Sequence, residues 1–216
     1  MVHLLSMGIE CISSMVFLIP VIIILQYILF KQHSFYQFVM VLVTTVYFMA
    51  MYTVTGLPTA YTLRFNFSLN LIPLIDIINS PAEYIKNTVL NILLFMPLGF
   101  LLPVIWSEYH DAKKMALTGL AVSAIIEILQ IFTFRFTDID DLITNTLGTA
   151  LGYGIAKMFS FKLPFKISER EKTVPMKYGP VIIFGAVFLI GFFLKPLVSN
   201  AIWDAVLYSS WWESIK

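Results

Sequence analysis

The chain has 216 residues, 59% of them hydrophobic and 12% charged, with a mean hydropathy of +0.85. Soluble domains carry about 25% charged residues, so this balance excludes an ordinary water-soluble globule and points to an integral membrane protein. A net charge of +1 gives no case for a nucleic-acid partner, and the one cysteine, Cys11, can neither close an internal disulfide nor supply a metal spacing.

A membrane-spanning helix needs about 20 mainly apolar residues, and six stretches meet or approach that length. The opening "MVHLLSMGIEC" lacks a basic leader and no Ala-x-Ala site follows, so the first apolar run, Ile12–Phe30, is expected to remain as a helix. The second is Phe35–Leu57. The connection that follows, "NLIPLIDIINSPAEYIKN" from Asn70 to Asn87, is too apolar for an ordinary surface loop and is expected to form a re-entrant or interfacial lid. The third stretch, Thr88–Trp106, contains Pro97, Gly99 and Pro103. These residues would either kink it and open a cleft or serve simple packing. Met115–Phe132, Leu142–Phe159 and Tyr178–Pro196 complete the set. Beyond them Trp203, Tyr208, Trp211 and Trp212 cluster in the tail, as expected of a short helix lying at a headgroup layer.

No repeat or linker divides the chain, so one domain is expected, and its six apolar stretches make the expected fold all-α. It is a polytopic membrane helix bundle of about six transmembrane helices with an outer interfacial C-terminal helix. Residues 1–34 hold the first helix and a cytoplasmic turn, residues 35–158 the main transmembrane domain, and residues 159–216 a basic cytoplasmic loop, the sixth helix and the aromatic tail. Nine lysines and arginines fall on one side of this topology and five on the other. The positive-inside rule then places the richer side in the cytoplasm and both termini outside.

On that topology the awkward polar residues converge near the outer surface. Asn87 and Asn91 lie one turn apart in the third segment, and Glu127 and Gln130 three apart in the fourth. Arg135, Asp138, Asp140 and Asp141 fill the next loop, and Asn145 follows. If the fifth helix begins near Asp138, then Asp138, Asp141 and Asn145 share a face that Gly148 and Gly152 continue, while Asp140 points elsewhere and should matter less or do another job. Glu127 is the most informative of these. A charge within the bilayer costs about 2.5–3.5 kcal/mol on insertion scales, so it is normally paired or lines a wet cavity.

One arginine cannot neutralise four carboxylates, so a proton, a metal ion or a cationic ligand group would complete the site. The bland alternative is a network that ties helix ends together, with Asp138 as a helix cap. His3, His33 and His110 lie far from the cluster in sequence, and there is no nucleophile–His–Asp set, HExxH, Cys–His pattern or P-loop. No catalytic residue can be assigned and no dedicated metal site is expected. The carboxylates still leave open acid–base chemistry or a divalent cation as cofactor.

Four motifs in order, "NLIPL" (Asn70–Leu74), "NILLFMPLGFLLP" (Asn91–Pro103), "IIEILQIF" (Ile125–Phe132) and "RFTDIDDLITNTLGTALGY" (Arg135–Tyr153), resemble the VanZ family over about residues 35–158. Phe134 departs from the resemblance, where a glycine is expected before the arginine. The resemblance implies a bacterial cell-membrane protein associated with resistance to teicoplanin-type lipoglycopeptides. Its motif positions fall on Asn91, Pro97, Gly99, Glu127, Gln130, Arg135, Asp138, Asp141, Asn145, Gly148 and Gly152. Its expected partners are membrane lipid and either the lipoglycopeptide or a lipid-linked cell-wall precursor.

Two readings compete for the polar cluster. In the first, Asn91, Glu127, Gln130, Arg135, Asp138, Asp141 and Asn145 bind or remodel an amphiphile at the outer leaflet. In the second, a membrane enzyme acts on a lipid-linked substrate, with Glu127 as acid or base and Asp138 and Asp141 as ligands to a divalent cation. Transport ranks last, because no comparable polar groups continue toward the cytoplasmic side.

Overall fold

A computed structural model describes residues 2–29, 35–65, 69–70, 72–133, 137–159 and 177–208, and it is almost wholly helical there. Helix α1 spans Val2–Ile23 and runs on through a π-helical turn, Ile24–Leu29. Helix α2 spans Phe35–Val54, α3 is the short Ile75–Asn79, and α4 spans Pro81–Ile105. A single 3-10 turn, Ser107–Tyr109, leads to α5 (Ala112–Gln130), followed by α6 (Ile139–Phe159). Helix α7 (Gly179–Leu189) passes through a second π-helical turn, Ile190–Leu194, directly into α8 (Lys195–Leu207). Two dipeptides, β1 (Leu69–Asn70) and β2 (Thr137–Asp138), pair in parallel, with Leu69 opposite Thr137 and Asn70 opposite Asp138.

The helix boundaries follow from local chemistry more than from hydropathy. Helix α4 starts seven residues earlier than its apolar run, because Pro81 sits at the first helical position, where a missing N–H costs nothing. Glu83 in that first turn suits the positive end of the helix dipole. Asp111 caps α5, its carboxylate accepting the Lys114 N–H at 2.7 Å. The sixth apolar stretch does not stop at Pro196. The helical path continues because that proline falls in the first turn of α8, so Trp203 and Tyr208 follow α7 with no intervening loop. Trp211 and Trp212 lie outside the described residues.

Helices α4 and α6 pack against each other more extensively than any other pair, with α5 laid along α6. The approach is close because Gly99, Gly148 and Gly152 meet at the crossing. A Cβ on Gly152 would overlap the Met96 carbonyl, one on Gly148 the Ile92 carbonyl, and one on Gly99 the Thr149 carbonyl. Helix α2 packs on α7, and α1 on α8. The shared core includes Leu18, Phe48, Met51, Phe95, Leu98, Trp106 and Ile183.

The distribution of polarity is that of a membrane protein. Ile12, Ile19 and Ile28 on α1 and its turn, Leu93 on α4, Ile128 on α5, Leu147 on α6 and Val181 on α7 are exposed, while Ser13, Thr44, Ser123, Glu127 and Thr149 are buried. In water such an arrangement would put apolar surface where solvent is and polar groups where it is not. Among the described residues, Pro81–Ile105 and Gly179–Leu207 are long and apolar enough to cross a bilayer. Helices α5 and α6 are less apolar, and several of their polar side chains, Ser123, Glu127, Gln130, Thr144, Asn145 and Thr149, are buried within the bundle.

Candidate functional site

The site end of the bundle gathers the start of α4, the last turns of α5 and the start of α6. Helix α6 begins one residue after Asp138, which acts as its N-cap: Asp138 Oδ1 accepts the Asp140 N–H at 2.9 Å. Asp138 thus stands just ahead of the first turn of α6, beside Asp141, with Asn145 one turn further along. Its other oxygen, Oδ2, accepts from Asn70 Nδ2 at 3.1 Å, and its own N–H donates to Glu127 Oε2 at 3.0 Å. Buried Glu127 thus acts as an acceptor at the positive end of α6.

Asp141 and Asn145 do turn inward together. Asn91 Nδ2 donates to Asp141 Oδ1 at 2.7 Å, and Asn145 Nδ2 donates to Ser123 Oγ at 2.9 Å. Gln130 Nε2 donates to the Thr55 carbonyl at 2.8 Å, which ties the end of α5 to the end of α2. Asp140 is 6% exposed, and its Oδ2 accepts the Leu74 N–H at 2.9 Å. It holds down the segment before α3, where Leu74 takes a left-handed backbone conformation (φ 65°) that is unusual for a leucine. The Asn70–Asn87 stretch divides accordingly into the β1 dipeptide, α3 and the first turns of α4, with Ile72, Leu74, Ile77 and Ile78 exposed.

Two adjoining cavities result. The outer, of about 210 Å³, is lined by Glu83, Asn87, Asn91, Asp138, Asp140, Asp141 and Thr144 among others. The inner, of about 240 Å³, is lined by Thr55, Asn87, Asn91, Glu127, Gln130, Asp141 and Asn145 with apolar neighbours. Asn87, Asn91 and Asp141 belong to both, so the Asn91–Asp141 hydrogen bond stands in the wall between them. Farther along, α2, α4 and α6 form a wholly different surface, an apolar groove of about 390 Å³ with Val43, Tyr47, Pro97, Phe100 and Ile155 in its walls.

Of the sequence-predicted site residues, Asn91, Glu127, Gln130, Asp138, Asp141 and Asn145 are therefore brought together, and Arg135 lies outside the described residues. Asn70, Thr55 and Ser123 were missed. Thr55 contributes a backbone carbonyl, and a lone serine within an apolar helix gives no signal of its own. Among the described residues no three His, Cys, Asp or Glu side chains are grouped to hold a metal ion. Asp138 and Asp141 instead accept from the amides of Asn70 and Asn91.

Asn91→Ala should remove a hydrogen bond to a carboxylate and lower stability by roughly 1.5–3 kcal/mol. Denaturation of the purified protein in detergent would measure this, and an unchanged midpoint would contradict the assigned contact.

The VanZ/LLP1 family model matches residues 17–160. The chain is 38% identical over 93 residues to "Protein VanZ" of Enterococcus faecium. That alignment takes in 41% of this chain and 54% of the relative, so the match spans about half of the relative's length. No solved structure matches. The family model runs from within α1 to the end of α6 and includes Asn91, Glu127, Gln130, Asp138, Asp141 and Asn145, so both the framework and the polar cluster lie inside it: the chain belongs to the VanZ/LLP1 family.

Proposed function

We propose that this membrane protein contributes to resistance against teicoplanin-type lipoglycopeptides by binding or remodelling an amphiphile at the polar end of the bundle. The observation that carries the reading is the pair of polar cavities sharing Asn87, Asn91 and Asp141, built from residues of α2, α4, α5 and α6. The apolar groove beside Tyr47 and Pro97 supports a hydrophobic tail lying along the same helices. The amphiphile is the antibiotic itself or a lipid-linked wall precursor. Arg135 takes its anionic group, and the carboxylates meet its cationic or hydroxyl groups. Six helices cross the membrane, both termini face outward, and the polar end opens to the outer leaflet.

Arg135→Ala is expected to return teicoplanin susceptibility to that of a host without the protein, while membrane accumulation on immunoblots is unchanged. Full resistance in this variant would contradict the reading. An altered pool of lipid-linked species that depends on the protein would instead favour enzymatic action.

A further inference from the structure

One amide of the inner cavity keeps an acceptor for which the described residues supply no donor. Gln130 is 3% exposed and lines the cavity, and its Oε1 is buried without a hydrogen-bond partner. Turning the amide does not help, because the Thr55 carbonyl can only accept and so holds Nε2 at 2.8 Å. Asn145 meets Ser123 Oγ at 2.9 Å, and since a hydroxyl can donate or accept, either end of that amide can make this contact. A group that both donates and accepts serves the remaining end of Asn145 in either orientation. Glu127 and Asp141, in the same cavity, already accept from the Asp138 N–H and from Asn91. Buried acceptors rarely go unpaired, so the cavity asks for a donor and not for a charge.

Resting on the reading of this end of the bundle as a ligand site, we propose that the inner cavity seats the hydroxyl groups of a neutral polyol such as a sugar. One hydroxyl donates to Gln130 Oε1, and another donates to or accepts from Asn145. A carboxylate or phosphodiester oxygen only accepts and cannot serve Gln130. One water takes up about 30 Å³ in the liquid and would leave most of a cavity of about 240 Å³ empty. Val54, Leu90, Leu94 and Ile126 also line the cavity, which suits the C–H faces of a sugar better than a cluster of waters. Val54 and Leu90 are 63% and 51% exposed at the bundle surface, so an apolar chain attached to the polyol can leave between α2 and α4. The polyol is the headgroup of a lipid or a soluble sugar.

The full chain in phosphatidylcholine nanodiscs, with equal amounts of glucosyl diacylglycerol and its fully O-methylated form, tests the lipid source. The methylated lipid keeps ring and chains but has no O–H to donate. Lipids retained on extraction are counted by mass spectrometry. Methyl glucoside against its fully O-methylated form in phosphatidylcholine-only discs, read by melting temperature, tests the soluble source. A lipid source predicts about tenfold enrichment of the hydroxylated lipid, the equivalent of one to two neutral hydrogen bonds. A soluble source predicts stabilisation by methyl glucoside alone. Either preference should disappear in folded Gln130→Leu. A photoreactive diazirine form of the preferred probe should label wild-type protein on the segments bearing Val54 and Leu90.

No preference by the wild-type protein in either arm leaves water as the occupant and overturns the proposal. Preference that survives in folded Gln130→Leu places the polyol elsewhere and overturns it too, as does labelling confined to other segments. Neither the wild-type preference nor the labelling depends on a variant folding. Absence of hydroxyl preference with intact Arg135-dependent resistance would sink this inference alone. Hydroxyl preference without any resistance phenotype would sink the functional reading alone.

Discussion

Glu127→Ala is expected to abolish the proposed resistance and to destabilise the fold by roughly 2 kcal/mol. The carboxylate is 3% exposed and accepts the Asp138 N–H at 3.0 Å, so its removal leaves a donor without that acceptor at the start of α6. Hydrogen bonds to charged groups contribute about 1.5–3 kcal/mol, and the buried donor left behind adds its own desolvation cost. Asp138 in turn caps α6 and reaches Asn70, so the loss spreads into β1 and the wall of the outer cavity. Glu127→Gln separates structure from charge. It keeps an acceptor oxygen of the same reach, so the protein should still fold and accumulate, yet it should lose resistance because the cavity has lost a negative group. Detergent melts beside susceptibility tests would measure both effects. A folded Glu127→Gln protein with full resistance would show that the charge is dispensable.

The second large effect is at the α4–α6 crossing. Gly152→Leu should sharply reduce the amount of folded protein in the membrane, because the new side chain would meet the Met96 backbone carbonyl and not a side chain able to swing aside. Overpacking typically costs about 1–3 kcal/mol, and a rigid backbone obstacle puts this case at the upper end. Gly154 provides the control on the same helix, since a Cβ there meets nothing within 4 Å. Gly154→Leu should melt close to wild type. If the two variants melt alike, the tight crossing is not what holds the bundle together.

Much of this organisation was legible in the sequence, for a physical reason. A charged or amide side chain in an apolar run is expensive, so Glu127, Gln130 and Asn145 announce that something compensates them. The glycine stripe of Gly148 and Gly152 likewise marked a close approach by a neighbouring helix, without saying that the neighbour is α4. What escaped reading was the compensation itself. Leu74 N–H on Asp140, Asn70 on Asp138 and the Thr55 carbonyl on Gln130 join residues 66 or more positions apart, and two of the three use backbone atoms that every residue possesses. Asp140 was expected to point away from the site, yet it lines the outer cavity and anchors the segment before α3. The early start of α4 was readable from "SPAE", with proline at the first helical position and an acid just after it, but an apolar-length criterion passes over a polar first turn.

The sheltered position of α5 and α6 has a consequence for biosynthesis. A hairpin of these two helices emerging alone into lipid would carry Glu127, Asp141 and Asn145 with no cover, a state that insertion energetics oppose. The ribosome makes α4 first, so the surface bearing Ile92, Met96 and Gly99 is already waiting when α6 arrives. Chain order thus supplies an internal chaperone, and a permuted gene that delivered α4 last would yield a product prone to quality-control degradation even though its finished structure could be identical.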